Sequence, residues 1–244
     1  MNNNRKQAIV TGSGKRIGRE FAYFLAQLGY DLVLHYNHSK GSIEEIKSDL
    51  GNKYPNQLFY PLQFDLRNWT IANQFVNNLP DDFKSVNLLI NNASIYHQNT
   101  LLETEPDQLL DNFAVHCFTP YLLIKSFALK YKKGMIVNMT DSAIFRNTIT
   151  HMPYVLSKRS LVEVTRLAAV ELAPNIRVNA IAPGPVMPAN DDLDNFNKVV
   201  NATPLKKAVD MSGILSTLKF LMDNDNITGQ IINVDSGAHL KSGR

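Results

Sequence analysis

Short, nearly unbroken apolar runs alternate along this chain with longer segments whose apolar residues recur every three or four positions. Runs this short suit strands buried on both faces, and the three-to-four spacing suits helices that bury one face. The runs predict strands at Gln7–Thr11, Asp31–Tyr36, Gln57–Phe64, Val86–Asn91, Gly134–Thr140, Asn175–Ala182 and Gln230–Val234. Between them the spacing predicts helices at Arg19–Leu28, Ser42–Lys53, Pro106–Lys132, Pro153–Leu172, Asp191–Val200 and Leu205–Met222, with another starting near Trp69. Asp191–Val200 reads as short and exposed. Strands that alternate with helices in this way predict an α/β fold, a doubly wound parallel sheet with right-handed crossovers.

Composition narrows the class. Nothing rich in Pro, Gly or Ser splits the 244 residues, so one domain over 1–244 is expected, with a substrate loop at about 184–204. A net charge of +3 is too small to argue for nucleic acid. No apolar run reaches membrane-spanning length, and MNNNRKQ runs directly into a short apolar strand without a signal-peptide pattern, so the expectation is a cytoplasmic protein. A single cysteine, Cys117, excludes an intrachain disulfide framework and sits in an apolar helix, where a structural thiol is expected. No metal is expected.

The chemistry gathers where strands end. Gly12, Gly14 and Gly18 lie between the first strand and its helix, in TGSGKRIG. Glycines there let backbone approach a pyrophosphate, and the helix amino end favours its charge. The second strand ends in His35-Tyr36-Asn37-His38-Ser39-Lys40, without the acid that would bind ribose hydroxyls and repel a 2′-phosphate. Hydroxyl, imidazole and ammonium groups predict NADP(H) instead. Asp65 follows the third strand, either to receive the adenine amino group or to cap the helix near Trp69. Asn91-Asn92-Ala93-Ser94 closes the fourth strand, where asparagines can tie neighbouring strands together. Tyr154 and Lys158 are four apart, on one helix face. A cation beside a phenol, whose ordinary pKa is about 10, favours phenolate and permits proton exchange near neutral pH. Pro183-Gly184-Pro185 breaks the chain after the sixth strand, at the sheet end where such folds bind ligands.

Taken together, the residues resemble the short-chain dehydrogenase/reductase family over essentially the full chain. The matching pieces are Thr11-Gly12 with Gly18, Asp65, Asn91-Asn92-Ala93, Tyr154 with Lys158, Arg177-Val178-Asn179, Pro183-Gly184 and Thr228-Gly229 with Val234-Asp235-Ser236-Gly237. The resemblance implies a single-domain Rossmann fold with seven strands in the order 3-2-1-4-5-6-7. Four departures resemble a subgroup, the pteridine reductases and bacterial dihydromonapterin reductases. Arg16 stands for the middle glycine of the turn, Ser94 for a glycine, His35-Tyr36 with Ser39 ends the second strand, and Asp141 stands where the family carries a catalytic serine. The run Asn190-Asp191-Asp192 looks closest to the bacterial members.

That resemblance implies an NADPH-dependent reductase of a dihydropterin or dihydrofolate. Gly12, Ser13, Arg16 and Ile17 would hold the phosphates; His38 and Ser39 the 2′-phosphate; Asp65, Asn92 and Ala93 the adenosine side; Gly18, Tyr36, Leu66, Ser94, Tyr154, Pro183, Gly184 and Val186 would also contact the cofactor. Lys158 would bind the nicotinamide ribose and lower the pKa of Tyr154. Arg16, Ser94, Tyr96, Asp141 and Tyr154 would meet the substrate, with Asp141, Tyr154 and Lys158 catalytic and Tyr96 either stacked on the pterin or packed in its loop. An ionised carboxylate accepts hydrogen bonds only, so Asp141 favours an N–H-bearing heterocycle over a ketone. The adjacent Ser142 leaves the ketone alternative open, a 3-oxoacyl thioester for example. A non-catalytic NADP(H) sensor is a further alternative. His116 stands where the family has an asparagine that holds a proton-relay water; it either takes up that task or is structural. The family also implies a homotetramer, joined through the helices at Pro106–Lys132 and Pro153–Leu172.

Overall fold

The computed structural model describes residues 5–188 and 192–241. Its seven strands are β1 Lys6–Val10, β2 Tyr30–Tyr36, β3 Phe59–Gln63, β4 Val86–Asn91, β5 Gly134–Met139, β6 Ile176–Pro183 and β7 Ile231–Val234. They form one sheet in the order β3-β2-β1-β4-β5-β6-β7, with every pairing parallel. Among the described residues there are eight α-helices, α1 Arg16–Gln27, α2 Lys40–Lys53, α3 Asn73–Asn77, α4 Pro106–Phe113, α5 Thr119–Tyr131, α6 Met152–Leu172, α7 Leu193–Ala202 and α8 Met211–Asp223.

Side chains of a strand point alternately to its two faces, and both faces here are covered. Ala8, Val10, Leu32, Leu34, Leu88, Ile90, Met135 and Val137 pack under Phe21 and Leu25 of α1, Ile43 and Ile46 of α2, and Ile214 and Leu218 of α8. Ile9, Val33, Leu89, Ile136 and Val178 pack under Phe75 of α3, Leu123 and Phe127 of α5, and Ala169 of α6. The carboxyl ends of all seven strands therefore open on one rim. Among the described residues no helix is long and apolar enough to cross a membrane.

Three elements depart from the sequence reading. The helix expected over 106–132 runs from Pro106 to Tyr131, but Ala114–Phe118 is a π-helical turn between α4 and α5. Such turns mark places where a helix is locally re-aimed. The helix expected to start at Leu205 starts at Met211: Leu205 N–H donates to the Ser236 carbonyl, Lys206 adopts a φ of 48°, and Val209 N–H donates to the Pro185 carbonyl. Those bonds draw 205–209 across the strand ends before the helix begins. Near Trp69 there is a short 3₁₀ turn, Trp69–Ile71, followed by α3. Of the run Asn190-Asp191-Asp192, the first two residues lie outside the described ones, and α7 begins at Leu193.

Candidate active site

The turn after β1 is built for bare backbone. Gly12 has a φ of 65°, and a Cβ there would sit 2.8 Å from Cα of Ala93. A Cβ on Gly18 would overlap the Gly12 carbonyl oxygen, and one on Gly14 would sit 2.5 Å from the Ser39 hydroxyl. Asn92 Nδ2 donates to the carbonyls of Thr11 (2.8 Å) and Gly12 (3.2 Å), tying this turn to the end of β4. Asn91 Nδ2 donates to Asn138 Oδ1 at 2.8 Å, tying β4 to β5. No side chain caps the amino end of α1, so its first N–H groups stay available at the positive end of the helix dipole. Beside them opens a cleft of about 660 Å³, lined by Gly12, Gly14, Arg16, Ile17, Gly18, Tyr36, His38, Ser39, Asp65, Leu66, Asn92, Ala93 and Ser94 among others. A glycine cradle under an uncapped helix end fits a dinucleotide pyrophosphate. Ser13 has its hydroxyl inside, donating to the His35 carbonyl at 3.1 Å. Tyr36 keeps its ring in the core, so it meets the cleft with little more than backbone.

His35 is turned inward and fully engaged. Gly12 N–H donates to its Nδ1 at 2.9 Å, which leaves the proton on Nε2, 2.9 Å from the Phe64 carbonyl that accepts it. Burial pushes its pKa down to about 4. A histidine whose folded pKa lies below its unfolded value of about 6.5 contributes stability that is fully present above that value and lost as pH falls toward 4. Urea unfolding between pH 7 and 4.5 should therefore show the parent losing up to about 3 kcal/mol more than His35→Asn, whose side chain does not charge. Equal losses would contradict this role.

At the far rim His38 and Lys40 are exposed and no acid follows β2. Asp65 is held by Arg67, whose Nε lies 3.0 Å from each carboxylate oxygen. Those bonds hold its pKa below the usual carboxylate value. Asp65 also accepts from Arg67 N–H, so it closes its own turn, while Asn68 precedes the helical turn at Trp69. Arg67, which the sequence reading did not single out, lines the same rim.

At the near end Asp141, two residues past β5, starts a 3₁₀ turn, Ser142–Phe145, by accepting from Ala143 N–H at 2.7 Å. Its other oxygen accepts from the Tyr154 hydroxyl at 2.7 Å. Asp141, and not Ser142, thus reaches the tyrosine. Lys158 is buried and donates to the Met139 carbonyl at 2.7 Å, with burial lowering its pKa to about 8. The Lys158 ammonium lies 5.8 Å from the centre of the Tyr154 ring. Burial first, then the Asp141 carboxylate, hold the phenol well above its ordinary value.

Tyr96 meets Tyr154 edge-on at 4.9 Å and stacks on His151, with ring centroids 4.3 Å apart. His151 was not singled out from the sequence; it precedes α6 with a φ of 57°. Arg16 carries a φ of 51°, the conformation a glycine would take, and its guanidinium donates to the carbonyls of Pro188 (2.8 Å) and Met187 (3.1 Å). It thereby joins the glycine turn to the loop after β6. In that loop Gly184 N–H donates to the Val234 carbonyl, a Cβ on Gly184 would meet Asp235, and Val186 packs at the core edge. His116, from the π-helical turn, is buried beside Ser94 and Ser157. Cys117 is half-buried, with its pKa raised by burial, which fits an unreactive thiol.

The chain is similar to known proteins over nearly its whole length. A family model described as enoyl-(acyl carrier protein) reductase matches residues 12–239. A 3-oxoacyl-(acyl-carrier-protein) reductase, FabG, of Staphylococcus epidermidis is 29% identical, covering 96% of this chain and 99% of the relative. Among solved structures, FolM alternative dihydrofolate reductase 1 from Brucella canis, complexed with NADP, is 31% identical with a TM-score of 0.88, covering 98% of this chain and 95% of the other. The Brucella suis FolM, also with NADP, is 30% identical with a TM-score of 0.91, covering 98% and 96%.

Proposed function

The chain belongs to the short-chain dehydrogenase/reductase family, and we propose that within it the protein is an NADPH-dependent reductase of dihydropterins, taking 7,8-dihydromonapterin, dihydrobiopterin or dihydrofolate to the tetrahydro form. The observation that carries this reading is the 2.7 Å bond from Tyr154 to Asp141. A carboxylate, which only accepts, stands where ketone reduction needs a second donor. The likeness to two FolM enzymes bound to NADP supports it.

Gly12, Arg16, Ile17 and Gly18 would hold the pyrophosphate, His38 and Ser39 the 2′-phosphate, and Asp65, Leu66, Asn92 and Ala93 the adenosine. When bound, NADPH supplies a hydride to the carbon of the pterin C=N bond. Tyr154 gives the adjacent ring nitrogen a proton, and Lys158 steadies the phenolate left behind. Asp141 orients the phenol and accepts N–H groups of the ring. Tyr96 offers its ring as the stacking face, which requires the His151 imidazole to move aside. The phenolate is reprotonated from water. Exposed Leu129, Leu167 and Val170 on α5 and α6 support assembly as a homotetramer.

The second reading, a 3-oxoacyl thioester reductase, is favoured by the FabG relatives. Deuterated NADPH separates the two. With a dihydropterin, the tetrahydro product should gain one deuterium on the reduced ring carbon. Label found only in a 3-hydroxyacyl product would reverse the assignment. No transfer to either substrate would favour a binding protein.

A further inference from the structure

We propose that His116 is a positioning residue: fixed as the imidazole carrying its proton on Nδ1, it holds the Ser94 hydroxyl as a donor and leaves the Ser94 oxygen facing the cleft as an acceptor. The tautomer follows from both ring nitrogens independently. Ile95 N–H lies 3.2 Å from Nε2 and can only donate, so Nε2 carries a lone pair. On the other side Ser157 Oγ spends its own proton on the Tyr154 carbonyl at 2.8 Å, so at 2.9 Å it accepts from Nδ1. The two ends require the same form. Ser94 Oγ has two acceptors in reach, Nε2 at 3.0 Å and the Ile95 carbonyl at 3.3 Å, and bonds to His116 only by donating along the shorter contact.

Placement supports this. His116 is 1% exposed, and the π-helical turn aims its ring between the loop after β4 and Ser157 of α6. The groups around it are the Lys158 ammonium, the His97 imidazole and the Tyr154 ring, edge-on at 5.3 Å. None is an acid that would hold an imidazolium. The ring is therefore a fixed bridge and not a proton carrier. The chemical consequence lies at the cleft, where Ser94 is exposed. With its proton turned inward, Ser94 joins Asp141 as a second acceptor near Tyr154. A ketone oxygen would find Tyr154 as donor and two groups with nothing to give. A ring bearing N–H and amino groups would satisfy both acceptors. This part rests on the reductase reading above; the tautomer does not.

The test has two arms. Nitrogen-15 NMR of histidine-labelled enzyme, with His116 assigned by its absence in His116→Gln, should show the proton on Nδ1 and no titration between about pH 5 and 8. A proton on Nε2, or titration in that window, would overturn the proposal whatever the substrate is. In the second arm, glutamine, whose amide oxygen reaches the Nε2 position, should keep kcat/KM within about threefold. Asparagine, too short for Ser94, should lower it on the order of tenfold. In a Ser94→Ala background, His116→Asn should cost nothing further. Additive losses, or glutamine as damaging as asparagine, would overturn it. Loss of the pterin reading would change the substrate turned over in the second arm and leave the first arm untouched.

Discussion

Tyr154→Phe should lower turnover by about 10²–10⁴-fold, the range a positioned proton donor commonly supplies. Its hydroxyl is the side-chain donor that meets Asp141, and phenylalanine keeps the buried ring with no proton to give. The affinity for NADPH should change by about tenfold or less, the scale of one hydrogen bond. Single-turnover rates together with fluorescence titration of NADPH separate the two effects. A phenylalanine variant that turns over nearly as fast as the parent would remove Tyr154 from the chemistry. An equal collapse of binding would make its role one of holding the cofactor.

Asp141→Ser should have the second largest effect, a loss of about 10²–10³-fold in pterin turnover, the scale of removing one preorganised electrostatic partner. The serine can still cap Ala143 N–H, as Asp141 does at 2.7 Å, so the turn has a reason to persist. What disappears is the charged acceptor for Tyr154 and for substrate N–H groups. Activity toward an acetoacetyl thioester should hold or rise, since a hydroxyl can donate to its carbonyl. Both activities falling together would instead assign Asp141 to the fold of the turn, and unfolding measurements on the same variant would show it.

The order of strands and helices was legible because the central strands are buried on both faces, which makes their sequences plain apolar runs between polar breaks. Val86–Asn91 was placed to the residue. The parts that stayed hidden depend on contacts across long stretches of chain. His35 reads as one more polar group after a strand until the Phe64 carbonyl and the Gly12 N–H close on it from either side. The start of α8 was misplaced because Leu205 and Val209 are held by Ser236 and Pro185, outside any local pattern. The π-helical turn at Ala114–Phe118 left no mark in the spacing of apolar residues, yet it is what turns His116 inward. Arg16 stood out as an arginine in a glycine position, but its grip on Met187 and Pro188 spans more than half the chain. The pairing of Asp141 with Tyr154 was open to a one-residue shift, and the end of β5 at Met139 decides the register that brings Asp141 to the phenol.

The most direct measurement is NADPH consumption by the parent enzyme with 7,8-dihydromonapterin, 7,8-dihydrofolate and an acetoacetyl thioester, side by side. An acceptor-lined site around Tyr154 predicts that one of the two pterin-ring substrates is turned over with the highest kcat/KM. Turnover of the thioester alone would contradict the account and return the chain to the ketone reductases of its family, with Ser142 as the next hydroxyl to examine.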